Sequence, residues 1–344
     1  MPSIVGGMDI HRKQVTFDYL DLETGEVKCG QIAPADRGNL RAWLQRFAGV
    51  SGVAFAVEAC TGWRYVTDEL QRAGVEAHLA EPADTAAARG RKKRAKTDKA
   101  DSRLMRDLLA AGRLPECWIP PPQILEYRAL LETYHALRRE HTAWVQRVHA
   151  VLFHQGAPVF HGLAETDGPA QLAALARACL SPAGQQQIAL YLRMLEVTGS
   201  ELDALRAQLV KAAGRLRGAR ALAGQLYGVG PITALALCCW LGGAGRFSSA
   251  RKAVRFAGLD ITVYSSAGKR SPGHLSRQGP PVLRWCLYEA GKTHARAGAP
   301  DHGYYAAVKD RKDGKRAALS EARKIVRQAC HLLGELGDDA FATV

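Results

Sequence analysis

Two apolar runs near the start of the chain each close on a carboxylate. Residues 3–9, SIVGGMD, end at Asp9, and residues 53–58, VAFAVE, end at Glu58. Short apolar runs of this kind read as buried strands, where an ionised side chain is costly unless the strand end opens onto a site. Few architectures accommodate that twice. Residues 14–20 alternate as a partner strand, and residues 27–32, after the turn residues Glu23-Thr24-Gly25, read as a third. Residues 40–47 and 65–73 read as helices and 75–80 as a further strand. Three antiparallel strands followed by alternating helices and strands predict an α/β domain with a mixed sheet.

A second pair of acids follows. Asp98 and Asp101 lie three apart in KTDKADSRLMRDLLAAG, which reads as a helix opening, so both carboxylates share one face. Each acid also has a plain structural reading: Asp9 or Glu58 as a strand-end residue, Asp98 as a helix cap, Asp101 as a partner for neighbouring Lys and Arg. Their conjunction says more. A strand-end acid, a second strand-end acid, then an acid pair on a helix is the order of an RNase H-like nuclease fold. Like charges gathered this way repel one another and favour a cation between them. Oxygen donors without Cys or His specify a hard ion, Mg²⁺ or Mn²⁺, rather than zinc. A pair of such ions suits phosphoryl transfer.

The charge balance agrees. Lys and Arg number 47 against 33 Asp and Glu, a formal net charge of +14, which favours a polyanionic partner, nucleic acid before a membrane surface. Residues 89–99, RGRKKRAKTDK, hold seven basic side chains against Asp98, a net +6 in eleven residues. Arg89, Arg91, Lys92, Lys93, Arg94 and Lys96 are therefore candidate phosphate contacts; a solvated charged loop is the plain alternative.

At 344 residues the chain has room for roughly two or three domains. We expect an α/β domain over 1–115, a helical region over 123–220 after the break at Pro120-Pro121-Pro122, and a mainly helical domain over 221–344. In the middle region Leu130, Leu137, Trp144 and Val151 recur every seven residues, as do Leu195, Leu202, Leu209 and Leu216. These series predict a helical hairpin or coiled coil, with subunit association as the expectation. In the last region, residues 227–233 resemble a hairpin between helices whose backbone N–H groups can face a phosphate.

Other classes are excluded. The longest apolar stretch, residues 232–243, is too short for the roughly 20 residues a bilayer requires, so no membrane association is expected. The first residues carry no signal-peptide pattern. Eight cysteines, none spaced as CxxC, point to free thiols in a reducing cytoplasm rather than a disulfide scaffold or zinc finger.

At residue level a family resemblance emerges. GMDIHRKQV, VEACTGW and KTDKADSRLM resemble the motif blocks of DEDD insertion-sequence transposases with a RuvC-like N-terminal domain, a group that includes the Piv-type DNA invertases. RFSSARKAVRFAGL, YSSAGKRSPGHLSRQG and VLRWCLYEA are similar to that family's second, transposase-specific domain. The blocks span about 5–105 and 225–290, and the subgroup they look like is the bridge-RNA-guided recombinases. The resemblance implies a RuvC-like domain, a helical coiled-coil middle and a mainly α C-terminal domain carrying a nucleophilic serine. It assigns Mg²⁺, with Mn²⁺ as the other candidate, to Asp9, Glu58, Asp98 and Asp101. It places the nucleophile at Ser266, which falls in the register SxGKxxxGxxS, with the adjacent Ser265 as the alternative. Lys269, Arg270 and Arg277 would hold the DNA backbone.

The implied activity is excision and insertion of a mobile element by serine strand exchange. Its implied partners are double-stranded DNA at the element ends and target, a structured guide RNA, and further copies of the chain as a dimer or tetramer. A site-specific invertase without guide RNA, a junction-resolving nuclease and a non-enzymatic nucleic-acid scaffold are the alternatives. The chain departs from the family at Ser102, where alanine is usual, and at Pro280-Pro281, which alters the entry to the next helix.

Overall fold

The computed structural model of the chain describes residues 2–89, 97–262, 264–266, 269–271 and 273–343. They form two compact units, Met1–Ile119 and Pro120–Val344.

The first unit opens with β1 (Ile4–Ile10), β2 (Val15–Asp21) and β3 (Val27–Ile32), an antiparallel meander. Helix α1 (Arg37–Leu44) leads to β4 (Val53–Glu58), α2 (Trp63–Arg72), β5 (Glu76–Ala80), α3 (Pro82–Ala88), α4 (Asp98–Ala110) and the two-residue β6 (Glu116–Cys117). The sheet order is β3-β2-β1-β4-β5-β6, with β1, β4 and β5 parallel to one another and β6 antiparallel to β5. This is the mixed sheet expected. The α3 helix and β6 were not anticipated, being too short to carry a periodic signal.

Strand pleating divides the sheet into two faces. One carries Phe17, Tyr19 and Phe55, which meet Trp43 of α1 and Phe47 in an aromatic cluster, with Phe17 and Trp43 centroids 4.5 Å apart. On the other, Ala56 and Ala80 pack against Met105 of α4, and Gly7 lies directly beneath Ser102 and Arg106. Small residues on this face let the helix axis approach the sheet. Ser102 fills the family's alanine position: it is fully buried, and its hydroxyl donates to the Lys99 carbonyl at 3.2 Å, so the polar atom is satisfied within the helix. Buried Asp18 on β2 pairs with the Arg106 guanidinium, which also donates to Asp107, and these contacts pin α4 across β1 and β2.

The second unit is helical: α5 (Pro122–His154), α6 (Gly168–Cys179), α7 (Pro182–Arg215), α8 (Arg217–Gln225), α9 (Pro231–Leu241) and α10 (Ala250–Phe256). A small antiparallel pair follows, β7 (Tyr264–Ser266) with β8 (Lys269–Ser271), before α11 (Pro281–Lys292), α12 (His302–Arg311) and α13 (Gly314–Leu336). Helices α5 and α7 pack antiparallel: the Trp144 and Tyr191 rings meet at a tilt with centroids 5.5 Å apart, and His141 meets the Thr198 hydroxyl at 3.0 Å. The heptad series thus partner each other within the chain, and α6 closes the tip through Leu172, Ala176 and Leu180. Subunit association therefore does not follow from the heptads.

The second series was expected to run through Leu216. Instead the helix breaks there, because Leu216 turns extended to bridge Thr343 and Arg217 N–H bonds the Ala342 carbonyl. Helix α9 is apolar all round and buried over Ala234–Leu241, including Cys238 and Cys239. Arg128 of α5 caps it, donating to the Cys239 carbonyl at 2.8 and 3.0 Å. Long α13 lies at the centre of the remaining helices, in contact with α9, α10, α11 and α12. No helix among the described residues is long and apolar enough to cross a membrane.

Candidate metal centre

Asp9 and Glu58 reach the same end of the sheet because their strands run side by side. Met8 pairs with Val57 in the parallel β1–β4 register, and the two acids are the next residues on each strand. They share a face with Gly7 and Ala56, the face that α4 covers. At its start Thr97 takes the N-cap position, its hydroxyl accepting from the Ala100 N–H at 3.2 Å. Asp98 is therefore not the cap. With Asp101 it lies in the first turn, where the helix dipole favours negative charge.

Between these carboxylates sits a residue the sequence reading passed over. His11 Nε2 lies 3.2 Å from Asp9 Oδ2 and 3.2 Å from Asp98 Oδ1. The donor atoms of Asp9, His11 and Asp98 all fall within 4.8 Å of one another. Gln14 donates to the other Asp98 oxygen at 3.4 Å. The available signal was position alone: His11 is two residues beyond Asp9, on the chain as it leaves β1.

Burial pushes the Asp9 carboxyl above its ordinary range; His11 pulls it down, and the charges of Asp98 and Asp101 push it up again. Asp98 and Asp101 thus both reach Asp9 electrostatically. Asp101, however, is held by Arg89 at 2.5 Å and is not among the three grouped donors. Beside them the Cys60 thiol is raised by burial and by the charges of Glu58 and Asp9, which keeps it protonated and marks those two acids as neighbours.

A buried carboxylate flanked by two further acids and an imidazole fits a divalent cation, which would offset the burial that chiefly raises Asp9 and the added repulsion from Asp98 and Asp101.

The remaining candidates are placed unequally. Arg89 is described and occupied by Asp101. Arg91, Lys92, Lys93, Arg94 and Lys96 lie outside the described residues. In the second unit, Ser266 pairs with Lys269 and Ser265 with Arg270 across the antiparallel strands β7 and β8. Arg277 is exposed and adopts a left-handed backbone at φ 55°, and its carbonyl accepts from Arg284 at 3.1 Å. Pro280 and Pro281 start α11, at positions where a missing N–H costs nothing. The turn between α8 and α9, anticipated as a hairpin, is present.

Comparison with known proteins bears on both units. Residues 6–154 match the IS110-type DEDD transposase family, described as "Transposase". Residues 220–306 match a second family, "Transposase IS116/IS110/IS902 family". A Sinorhizobium fredii (strain NBRC 101917 / NGR234) protein named "Putative transposase y4rJ" is 28% identical over 285 residues, covering 77% of this chain and 71% of that protein. The sheet and its acids are consistent with an RNase H-like DEDD domain.

Proposed function

Because the chain carries the two domains of IS110-family transposases, we propose that it is a Mg²⁺-dependent DNA recombinase that excises and inserts its element through a covalent phosphoserine. The observation that carries this reading is the meeting of Asp9, Asp98 and His11 at one strand end, with Glu58 next to it on the neighbouring strand.

In this reading Asp9, Glu58, Asp98 and Asp101 hold Mg²⁺, or Mn²⁺, which supplies charge neutralisation at the scissile phosphate. Ser266 Oγ attacks the phosphorus, the P–O3′ bond breaks, and the proton given up by the serine hydroxyl passes to the departing O3′, which leaves as a free 3′-hydroxyl. The phosphoserine ester conserves the bond, so a second 3′-hydroxyl can displace the serine and rejoin strands without ATP. Lys269, Arg270 and Arg277, with the basic residues of 89–96, grip phosphates. The acids belong to a RuvC-like domain over 1–115 and the serine to a transposase domain over 221–344; between them 123–220 forms a helical, coiled-coil-like region. A dimer or tetramer working in the cytoplasm brings two DNA sites together, directed by a structured bridge RNA.

The test is a denaturing gel for covalent protein–DNA adducts. Protein, element-locus RNA, Mg²⁺ and labelled element-end DNA are combined, in parallel with Ser266→Ala and Ser265→Ala. A protease-sensitive adduct lost only in Ser266→Ala is the expected result. Free cleaved ends surviving in Ser266→Ala overturn the nucleophile and leave a metal-dependent nuclease. Adducts that form equally without RNA identify an unguided invertase instead.

A further inference from the structure

The second unit holds another cluster of metal-binding side chains, made of none of the residues of the first centre. His294 follows α11, Asp301 precedes α12, and Glu321 lies in α13. One donor atom from each falls within 4.8 Å of the others. His294 is 4% exposed and Glu321 wholly buried, yet neither ring nitrogen of His294 nor Glu321 Oε2 has a hydrogen-bond partner among the described residues. An imidazole and a carboxylate oxygen left bare in the interior are expensive.

Their spacing suggests what is missing. His294 Nδ1 and Glu321 Oε2 are 3.7 Å apart, too far for a hydrogen bond. Two ligands each about 2.1 Å from one tetrahedral ion lie roughly 3.4 Å apart. Lys324 does not fill the gap: its ammonium reaches Glu321 Oε1 at 3.4 Å and Asp301 Oδ1 at 3.6 Å, and it lies over the Tyr304 ring on the partly exposed side. It engages the other Glu321 oxygen and leaves Oε2 facing the imidazole.

We propose that His294, Asp301 and Glu321 bind a structural divalent transition-metal ion, Zn²⁺ by the choice of donors. One imidazole with two carboxylates is a donor set that a borderline ion such as Zn²⁺ accepts, and two of these three donors lie in the dry interior, where a strongly hydrated Mg²⁺ is disfavoured. The ion ties the end of α11, the start of α12 and the middle of α13 into one joint. It also braces the turn between α8 and α9, because the Tyr227 ring meets His294 edge-on at 5.2 Å.

The experiment uses the full chain carrying Asp9→Asn and Asp98→Asn, which removes the first centre. The protein is stripped with a chelator, reloaded with Zn²⁺ or Co²⁺ and desalted. We expect one Zn²⁺ per chain by elemental analysis, a melting temperature raised by several degrees, and visible Co²⁺ absorption of low-coordinate intensity. His294→Ala and Asp301→Asn each abolish all three signals. Asp301 is partly exposed, so Asp301→Asn keeps the test decisive if His294→Ala fails to fold. No bound ion in the parent, or one ion retained in Asp301→Asn or in a folded His294→Ala protein, overturns the proposal.

Discussion

The backbone of Ser102 occupies the space that a side chain on Gly7 would need. Any Cβ there would press on the Ser102 carbonyl and lie 2.8 Å from the Arg106 nitrogen, and neither is the yielding end of a flexible side chain. Gly7→Ala should lift the start of α4 from β1 and separate Asp98 from Asp9. The cost expected from overpacking is about 1–3 kcal/mol, with a larger proportional loss of divalent-ion affinity. Calorimetric titration with Mn²⁺ alongside chemical denaturation checks both.

Asp9 titrates above its ordinary range in the folded chain. A raised carboxyl contributes stability that is present below its unfolded value and lost as pH rises through its folded one, so ionised Asp9 is a burden at neutral pH. Asp9→Asn should therefore leave the metal-free protein as stable or more stable while abolishing Mg²⁺-dependent DNA cleavage. In wild type, thermal stabilisation by Mg²⁺ should weaken as pH falls through the raised Asp9 value, since proton and ion compete for one carboxylate. Melting curves with and without Mg²⁺ from pH 4 to 8 read this directly.

Glu69 behaves in the opposite sense. Arg41, Arg37 and Arg72 all bond its buried carboxylate and hold it down to about 2. Its contribution is present above the ordinary value of 4.5 and is lost as pH falls from there towards 2. Acid titration followed by near-ultraviolet circular dichroism should show loss of aromatic packing in that window. Glu69→Gln should bring much of the loss to neutral pH, because Arg41 and Arg72 then lose the Glu69 counter-charge while Arg37 keeps Asp68.

Asp18 and Arg106 form a buried ion pair under α4. Asp18→Ala leaves the buried guanidinium with only the exposed Asp107 carboxylate and should cost towards the lower end of about 3–5 kcal/mol. Replacing both, as Asp18→Val with Arg106→Leu, should cost less than that single change. Urea denaturation of the three variants decides it.

Much of this centre was legible in the sequence because strand ends are. The apolar runs ending at Asp9 and Glu58 gave β1 and β4 to within a residue, and parallel pairing then brought the acids together. The Asp98–Asp101 spacing placed both in one helical turn. His11 was not legible, since its importance depends on where α4 docks, and that is decided by Gly7 and the Asp18–Arg106 pair. Asp18 and Glu69 were equally silent, because Arg106 lies 88 residues from Asp18, and two of the three partners of Glu69, Arg41 and Arg37, lie 28 and 32 residues from it. The helix break at Leu216 escaped for the same reason: what turns the backbone there is Thr343, at the far end of the chain.

The helical hairpin also sets a length. With 34 residues at about 1.5 Å each, α7 extends roughly 51 Å. At about 3.4 Å per step, that is the reach of some fifteen base pairs of duplex. Since α5 lies antiparallel along it, neither helix can lengthen alone without sliding Trp144 off Tyr191 and His141 off Thr198. The separation between the α6 tip and the α9 base is thus a fixed gauge, adjustable through evolution only by matched insertions in both arms.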